Sequence, residues 1–415
     1  MIRGLLFIVL CAAVCLAEKV RYDGYQVLRV TPKTENELNT LKNLESSLLG
    51  EQLSFWREPT YVDRPVDIMV SPTLREDVVR LLGRRGIRLS TMVEDVQKDT
   101  DEVEANLRPQ ADFDYNNYND IDTIEQWVAD FAAANSVVTA GSMGTSYEGR
   151  QLNYVKISSG GSGKKAVVFH GGIHAREWVT PATVMYMAKY LADGSADATR
   201  LLSYFDFYIV PVMNPDGYAY TWTNDRMWRK TRKPNGGSFC VGTDPNRNFA
   251  TGWGGGGSSG SVCSDTYRGS EAFSEVETSA IRDFVGGLGG GSGVAMYIDY
   301  HAYSQYWMTP YGYTTTRPAN YDQQYAGAKA ACDALTAVHG TRYQYGSVIE
   351  VIYQASGGSS DYMYEGQGVQ YAYALEGRDT GRYGFQLPAR QIQPSAEENW
   401  AALVAVCDYV YANLS

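Results

Sequence analysis

His174 and Glu177 stand three residues apart in the sequence HAREW. An imidazole nitrogen and a carboxylate oxygen offered from one turn supply two of the three protein ligands of a catalytic zinc site, whose fourth position holds water. The motif directly follows Gly171 and Gly172, where an apolar strand is predicted to end. This context favours a metal site over an ordinary solvated helical face.

The third ligand has to come from elsewhere, and the chain has only four histidines. His170 lies four residues before His174, which is a helical zinc spacing, but the intervening glycine pair argues against a helix there. A packed or hydrogen-bonded role is the better interpretation of His170. His339 precedes a glycine after a predicted helix and is most simply a C-terminal cap. His301, which follows an apolar strand, is therefore the preferred third ligand.

Strands alternate with long helices from about residue 110 onward, which predicts an α/β domain with a mixed, mostly parallel sheet flanked by helices. The predicted strands cover residues 152–157, 166–170, 205–213, 294–300 and 369–375, and the main predicted helices cover 178–191, 320–338 and 396–414. In open α/β sheets, ligands bind beyond the carboxyl ends of the strands. Since His170, His301 and Glu376 each end a predicted strand, we expect them to meet at one edge.

Two further units precede this domain. Residues 1–17 combine a positive charge, a short apolar run and small residues at the end, which is typical of a secretory signal peptide. Residues 18–108 read as strand, helix, strand, strand, helix, strand, which predicts a small α+β open sandwich. The acidic stretch 94–104 is expected to be an exposed connecting helix or linker. The main domain then spans residues 109–415.

Composition narrows the classes of function. The net charge of −11 over 415 residues argues against a nucleic-acid partner. No apolar run after the signal peptide is long enough to span a membrane, so we expect a secreted, extracellular protein. Cys240 and Cys263 bracket a glycine- and serine-rich loop that a disulfide would close in an oxidising compartment. Cys332 and Cys407 are equally compatible with a disulfide and with two buried thiols.

Six motifs occur in order along the main domain: HAREW, RMWRKTR, DPNRNF, IDYHAYSQ, IYQASGGSSD and ALEGRDTGRYGF. Together they resemble the secreted, pancreatic-type zinc metallocarboxypeptidases of the A/B group, which are made as zymogens. The resemblance spans residues 113–415, and the preceding unit resembles the activation segment of the same family. It implies a carboxypeptidase-like fold, one zinc ion per chain, and removal of single residues from peptides with a free C-terminal carboxylate.

The resemblance also assigns the catalytic roles. The implied zinc ligands are His174, Glu177 and His301, with Asp244 orienting His174. Glu376 is implied as the general base that takes a proton from water and passes it to the leaving amine. Its alternative is an ion pair with Arg378 or Arg382 at the strand end. Arg229 is implied to polarise the scissile carbonyl, where the alternative is an exposed cation.

Substrate contacts follow from the same motifs. The implied substrate-binding residues are Arg176, Asn246, Arg247, Tyr303, Tyr353, Ser360 and Phe385. Asn246 and Arg247 match the family's clamp for the terminal carboxylate, which suits the planar fork of arginine. Tyr353 matches the tyrosine that covers the bound residue, and Phe385 matches a wall of the cleft. For these two aromatic residues the alternative is simple packing.

The pocket for the terminal side chain matches neither of the two usual family patterns at one position. By motif it is lined by Met308, Gly312, Val348, Ile352, Ala355, Ser360 and Ala374. The B-type pattern places an acid at the position of Ser360, and the usual A-type pattern places a large aliphatic residue there. Because the walls are apolar and the base carries no charge, we expect a preference for aliphatic or aromatic C-terminal residues.

The zymogen resemblance makes residues 18–108 an intramolecular inhibitor that a trypsin-like protease removes. Arg108 is the obvious cleavage position, but Pro109 after it makes a poor trypsin bond. Lys98 or another upstream basic residue is the alternative first cut. Two other classes of function compete with the enzyme: a zinc-free homologue acting as a binding module, and, much more weakly, a serine hydrolase.

Overall fold

Two β-sheets organise the protein in the computed structural model, which describes residues 18–45, 53–107 and 112–414. The smaller sheet has four strands and the larger sheet has eight. The predicted signal peptide and the predicted cleavage position after Arg108 lie outside the described residues. No helix of the described ranges is both long and apolar enough to cross a membrane.

The N-terminal domain has the predicted order of elements. They are β1 (Gln26–Val30), α1 (Glu35–Glu45), β2 (Leu53–Arg57), β3 (Val66–Val70), α2 (Pro72–Arg84), β4 (Leu89–Val93) and α3 (Val96–Ala105). The strands pair antiparallel in the order β2-β3-β1-β4. Ser71 caps α2 because its Oγ accepts a hydrogen bond from the backbone N–H of Leu74, and proline occupies the first turn.

The two faces of this small sheet pack against different partners. Leu28 and Val30 belong to the domain's own core with its helices. Val27, Trp56 and Met69 belong to the large core of the main domain. Successive side chains of a strand point to opposite faces of the sheet. One face of this sheet therefore packs in the core of the N-terminal domain, and the other face packs against the main domain.

The acidic stretch 94–104 is a helix, but the expectation that it is exposed was wrong. Val96, Thr100 and Val103 are buried on one face of α3. Gln386 of the main domain donates hydrogen bonds from Nε2 to the backbone oxygen of Val96, at 2.9 Å, and to Oγ1 of Thr100. The charged residues that suggested a linker occupy only the outer face, where Lys98 is exposed.

The main domain confirms the predicted mixed α/β sheet. Its strands are β5 (Val138–Thr145), β6 (Gln151–Ile157), β7 (Lys165–His170), β8 (Phe205–Val210), β9 (Val294–His301), β10 (Tyr306–Thr309), β11 (Gln344–Ser347) and β12 (Tyr371–Glu376). They lie in the order β11-β10-β12-β9-β7-β8-β6-β5, with the four central strands parallel. The predicted strand 205–213 ends at Val210 because Pro211 has no N–H for the ladder.

Helices cover both faces of this sheet. They are α4 (Ile121–Ala134), α5 (Val179–Leu191), α6 (Ala196–Tyr204), α7 (Pro215–Thr223), α8 (Val276–Gly287), α9 (Tyr321–His339), α10 (Val348–Val351), α11 (Ser359–Glu365) and α12 (Ile392–Asn413). Val167 and Phe169 of β7 join the core that contains α5 and α12. Ala166 and Val168 join the core that contains α8. The parallel centre of the sheet is thus buried on both faces.

The strand ends place the predicted chemistry at one edge. Glu376 at the end of β12 pairs in register with His301 at the end of β9. His170 at the end of β7 pairs with Asp299 of β9. The carboxyl ends of three adjacent parallel strands therefore carry the polar side chains that the sequence singled out.

Candidate active site

His174, Glu177 and His301 bring their ligand atoms to one point. His174 Nδ1 lies 2.8 Å from Glu177 Oε1, and His301 Nδ1 lies 3.1 Å from His174 Nδ1 and 3.3 Å from Glu177 Oε2. All three side chains are buried. His174 and Glu177 lie in a turn before α5, not on a helical face, as the preceding glycine pair suggested. Among the described residues this is the one group of three such side chains close enough to hold a metal ion.

The geometry fits zinc. Ligands about 2.0–2.1 Å from a tetrahedral zinc ion lie roughly 3.3 Å apart, which is close to the distances here. Two imidazole nitrogens and one carboxylate converge there, with each imidazole within 3.3 Å of the carboxylate. Two imidazole nitrogens and a carboxylate oxygen are usual ligands of zinc, so the donor set suits a divalent metal.

Each imidazole is backed by a carboxylate on its far side. His174 Nε2 lies 3.0 Å from Asp244 Oδ1, and His301 Nε2 lies 2.8 Å from Asp299 Oδ2. A carboxylate accepts the proton of the outer nitrogen, so the Nδ1 lone pair is left to face the metal position. Asp244 was predicted for this place, whereas Asp299 was missed. The available signal was an acid inside a strand that is otherwise apolar, two residues before His301.

Arg229 contacts Asp244 more closely than it contacts the metal position. Its Nε and Nη2 donate to Asp244 Oδ2 at 3.1 and 2.9 Å, and its Nη1 lies 3.9 Å from Glu177 Oε1. Burial opposes ionisation of Asp244, but Arg229 and His174 outweigh it and hold the pKa of Asp244 well below its usual value. The predicted alternative, an exposed cation, is wrong because Arg229 is buried.

Glu376 lies in the wall of the cavity beside His174 and His301. Burial raises the pKa of Glu376 to about 8, a rise that His301 opposes and Glu177 reinforces. The alternative ion pair at the strand end is not formed. Arg378 instead binds Glu398 at 2.5 Å, and Arg382 lies over the ring of Tyr383.

The cavity beside these groups is polar at one end and apolar at the other. It is lined by His174, Asn246, Arg247, His301, Met308, Gly312, Val348, Ile352, Tyr353, Ala355, Gly358, Ser360, Asp361, Ala374 and Glu376. All seven residues predicted for the side-chain pocket are among them. Gly312 is required by space, since a Cβ there would lie 2.7 Å from the backbone oxygen of Ala355. Asp361 was not predicted; its Oδ2 accepts the N–H groups of Gly312 and Tyr313.

The guanidinium of Arg247 has one nitrogen to spare. Its Nε donates to the backbone oxygen of Gly257 at 2.6 Å and its Nη1 to that of Asn246 at 2.9 Å. Its Nη2 is buried and has no hydrogen-bond partner. Tyr353 lies near it, with its ring centroid 5.7 Å from the guanidinium carbon. An unpaired buried donor in a cleft is prepared for an anionic ligand.

Arg176, Tyr303 and Phe385 form a second group, beyond the metal position, and the N-terminal domain covers it. The Arg176 guanidinium carbon lies 4.3 Å from the ring centroid of Phe385. The ring of Trp56, from β2, lies 5.0 Å from that of Phe385 and 6.4 Å from that of Tyr303. Gly384 makes room for this indole, since a Cβ there would lie 2.6 Å from it.

Polar contacts fix the same strand over the cleft. Arg57 donates to Ser304 Oγ, and Tyr303 donates from Oη to Asp67 Oδ2 at 2.8 Å. Asp67 is fully buried and also accepts two hydrogen bonds from Arg29, at 2.6 and 2.7 Å. The N-terminal domain is therefore tied to the predicted outer substrate positions by both apolar and charged contacts.

The two remaining histidines and the four cysteines of the described residues lie outside the group of metal ligands. His170 Nε2 lies 2.5 Å from Tyr297 Oη, and burial lowers the pKa of His170 to about 4. His339 ends α9 before Gly340, which has the left-handed conformation expected of such a cap. The predicted Cys240–Cys263 disulfide is present. Of the two alternatives for Cys332 and Cys407, the structure shows two free, buried thiols.

Comparisons with known proteins agree with this geometry. The family profile described as zinc carboxypeptidase matches residues 124–402, and the one described as carboxypeptidase activation peptide matches residues 28–102. Carboxypeptidase A1 of Sus scrofa is 41% identical over 416 residues, covering 98% of this chain and 98% of that protein. Carboxypeptidase B of Astacus astacus is 44% identical over 299 residues, covering 72% of this chain and 98% of that protein. The crystal structure of thrombin activatable fibrinolysis inhibitor has a TM-score of 0.86 at 32% identity, covering 95% of this chain and 100% of that one.

Proposed function

Because the chain belongs to the zinc carboxypeptidase family, we propose that it removes single C-terminal residues, preferably aliphatic or aromatic ones, from peptides in the extracellular space. Its membership makes it a peptide hydrolase with an activation peptide. The observation that carries the proposal is the convergence of His174, Glu177 and His301 at the rim of a cavity that also holds an unpaired arginine nitrogen.

We assign one zinc ion per chain to His174, Glu177 and His301, with Asp244 orienting His174. When bound in such a site, zinc polarises a carbonyl and lowers the pKa of coordinated water to about 7. The chain's own residues are then assigned proton transfer, polarisation of the carbonyl and binding of the substrate.

Glu376 is the proposed general base. It lies at the carboxyl end of β12, in register with His301, so its carboxylate faces the same space. A pKa raised above the ordinary value makes the carboxylate a stronger base, which suits a group that first accepts a proton and then returns it to the leaving amine. Arg229, whose Nη1 lies toward Glu177, is the proposed donor to the carbonyl oxygen, a contact worth about 3–4 kcal/mol in the transition state.

Recognition of the chain end is assigned to Arg247, Asn246 and Tyr353. The free Nη2 of Arg247 offers a charged hydrogen bond to the terminal carboxylate. Tyr353, half-buried at the cavity mouth, is proposed to cover the bound residue. A peptide with an amidated C-terminus lacks the anion and should be rejected.

The side-chain preference is proposed from the pocket walls. Met308, Val348, Ile352 and Ala374 are apolar, and Ser360 leaves space without adding a charge. Asp361 also lines this cavity; its Oδ2 accepts backbone N–H groups, its Oδ1 has no hydrogen-bond partner, and burial raises its pKa to about 7, which favours the neutral carboxyl. The relatives include carboxypeptidases named A and B, so their names support neither preference over the other.

The N-terminal domain is proposed to inhibit by covering Arg176, Tyr303 and Phe385, the assigned outer substrate positions. Its strand β2 places Trp56 on Phe385 and the backbone oxygen of Phe55 3.5 Å from Arg176 Nη2. A peptide cannot occupy the same space, so inhibition is steric. Cleavage by a trypsin-like protease is proposed to release it; Lys98 is exposed but lies within α3.

The test is hydrolysis of peptides ending in Phe, Leu, Lys or Arg by the full-length protein, before and after trypsin and with or without a chelator. We expect activity only after trypsin, a preference for Phe and Leu, and its loss with chelator. Release of C-terminal residues that persists in chelator would contradict the zinc assignment, and a preference for Lys or Arg would contradict the proposed specificity.

A further inference from the structure

A second buried acid stands behind the metal position, where it contacts His301 as Asp244 contacts His174. Tyr297, Asp299 and His301 alternate along β9 and therefore share one face of the sheet. Asp299 is fully buried, and its Oδ2 lies 2.8 Å from His301 Nε2. Ser359, at the start of α11, donates from Oγ to the same oxygen at 2.5 Å.

Resting on the proposed zinc site, we propose that Asp299 is a positioning residue that fixes the proton of His301 on Nε2 and supplies the second negative charge that a divalent ion needs there. It contacts neither substrate nor metal. It acts through His301, and its effect should be seen in metal binding itself.

The tautomer argument depends on what surrounds His301 Nε2. Besides Asp299, the amide nitrogen of Asn246 lies near that ring atom, at 2.9 Å. The Asn246 oxygen accepts the N–H of Ser359 at 2.8 Å, so this amide can only donate toward Nε2 and competes there with Asp299, whose charged contact at 2.8 Å is the stronger of the two. A carboxylate can only accept, so Asp299 holds the proton on Nε2 and leaves the Nδ1 lone pair facing His174 and Glu177.

The charge argument compares the two backing carboxylates. Asp244 is neutralised by the fork of Arg229. Within the part of the chain that the structure describes, the ion-pair partners of Asp299 are two histidines, His301 at 2.8 Å and His170 at 3.5 Å, with no lysine or arginine. A fully buried carboxylate without a fixed cation is expensive. A dication facing Glu177 and Asp299 balances both charges.

His170, on the neighbouring strand β7, supports the same arrangement. His170 lies directly across from Asp299 in the parallel ladder. His170 Nδ1 and Asp299 Oδ1 are both buried and have no hydrogen-bond partner, and they face each other at 3.5 Å. If Tyr297 donates to His170 Nε2, the His170 proton lies on Nδ1 and points at Asp299. Asp299 is thus held from three sides while its charge remains uncompensated.

The experiment measures the zinc dissociation constant of the full-length protein by competition with a chelator, for wild type and Asp299→Asn. The matched control is Asp216→Asn: Asp216 is also fully buried, but it binds Ser146 and Arg150, away from the metal ligands. Loss of such an outer partner weakens metal binding about 10- to 100-fold, which we expect for Asp299→Asn. The Asp216 variant should keep the wild-type constant, and equal zinc binding by a folded Asp299→Asn protein would overturn the inference.

A second measurement needs no variant. Long-range ¹H–¹⁵N spectra of the zinc-loaded wild-type protein report which nitrogen of each histidine carries the proton, and the chain has only four histidines. We expect the proton of His301 on Nε2, and a proton on Nδ1 would overturn the inference. Wild type that binds no zinc would contradict the proposed function instead, so the two failures are distinguishable.

Discussion

Trp56 of the N-terminal domain packs against Phe385 of the main domain, with ring centroids 5.0 Å apart. Both side chains are nearly inaccessible to solvent, at 7% and 6% exposure. The contact joins the segment expected to be removed on activation to a residue expected to line the substrate cleft. It is therefore the natural place to weaken inhibition without touching the catalytic groups.

Trp56→Ala should raise the activity of the uncleaved protein. Truncating a buried tryptophan at an interface costs about 2 kcal/mol or more, which is a factor of roughly 30 in the population of the open form. Initial rates on a Phe-terminal peptide, measured before trypsin, check this. Trp400→Ala, which removes an indole packed on Tyr190 away from the interface, should leave the uncleaved protein inactive. Equal rates for the Trp56 variant and wild type before cleavage would show that this contact does not inhibit.

Glu376→Gln should abolish most of the turnover while the metal stays bound. The amide has the shape of the carboxylate but cannot take a proton, and loss of a general base costs about 10²- to 10⁴-fold in kcat. Steady-state kcat of the cleaved enzyme and its zinc content are measured on the same sample. A kcat close to that of wild type would remove Glu376 from the mechanism.

Arg247→Lys should weaken recognition of the chain end. Lysine keeps the charge but loses the planar fork that leaves Nη2 free in the cavity. A hydrogen bond to a charged group is worth about 1.5–3 kcal/mol, so kcat/KM should fall roughly 10- to 100-fold. Arg282→Lys, at an exposed pair with Asp283, is the matched control. Both proteins are assayed on one peptide with free and amidated C-termini, and an unchanged ratio between the two ends would refute the assignment.

Ser360→Asp should change the preference of the pocket to peptides with basic C-terminal side chains. A buried carboxylate left unpaired costs about 3 kcal/mol, so hydrolysis of a Phe-terminal peptide should fall by more than about 100-fold. Lys- and Arg-terminal peptides supply the missing cation and should be favoured instead. The ratio of kcat/KM values for Phe and Arg peptides measures the switch. If that ratio does not move, Ser360 is not at the base of the pocket.

Ionisation of Asp361 should lower the free energy of unfolding as the pH rises. Burial raises the pKa of Asp361 to about 7 in the folded protein, above its ordinary value of 3.8. The folded state therefore binds more protons than the unfolded state between these values. The stabilisation is complete below pH 3.8 and is lost as the pH rises through 7, at up to about 1.4 kcal/mol per pKa unit.

Asp361→Asn removes this titration and keeps an oxygen for the N–H groups of Gly312 and Tyr313. Free energies of unfolding from urea titrations at pH 4.5 and 8 should differ less in the variant than in wild type. Asp283→Asn, an exposed acid, should retain the wild-type difference. A variant with the full wild-type pH dependence would mean that Asp361 is already ionised at pH 4.5.

Strand ends were the part of the site that the sequence predicted best. His301 and Glu376 follow apolar runs long enough to be strands, and the edge rule for open sheets brings them together. The four-residue strands β10 and β11 were not predicted, because so short a run has no readable period. The roles of Arg229, Asn246 and Arg247 came from the resemblance, since a run of cations has no specific meaning by itself.

Contacts between distant segments set the limit of sequence reasoning. Asp299 gains its meaning only from the register that places it beside His170 and from the helix that brings Ser359 to it. The burial of α3 depends on Gln386, almost three hundred residues further along the chain. Neither partner can be inferred from local pattern, because the ladder register and domain docking are decided by the whole fold.

The most direct test of the central claim is a crystal structure of the protein with anomalous diffraction data collected at the zinc absorption edge. We expect one strong peak within about 2.0–2.2 Å of His174 Nδ1, His301 Nδ1 and the Glu177 carboxylate. A peak elsewhere, or a zinc ion that His301 does not coordinate, would contradict the account.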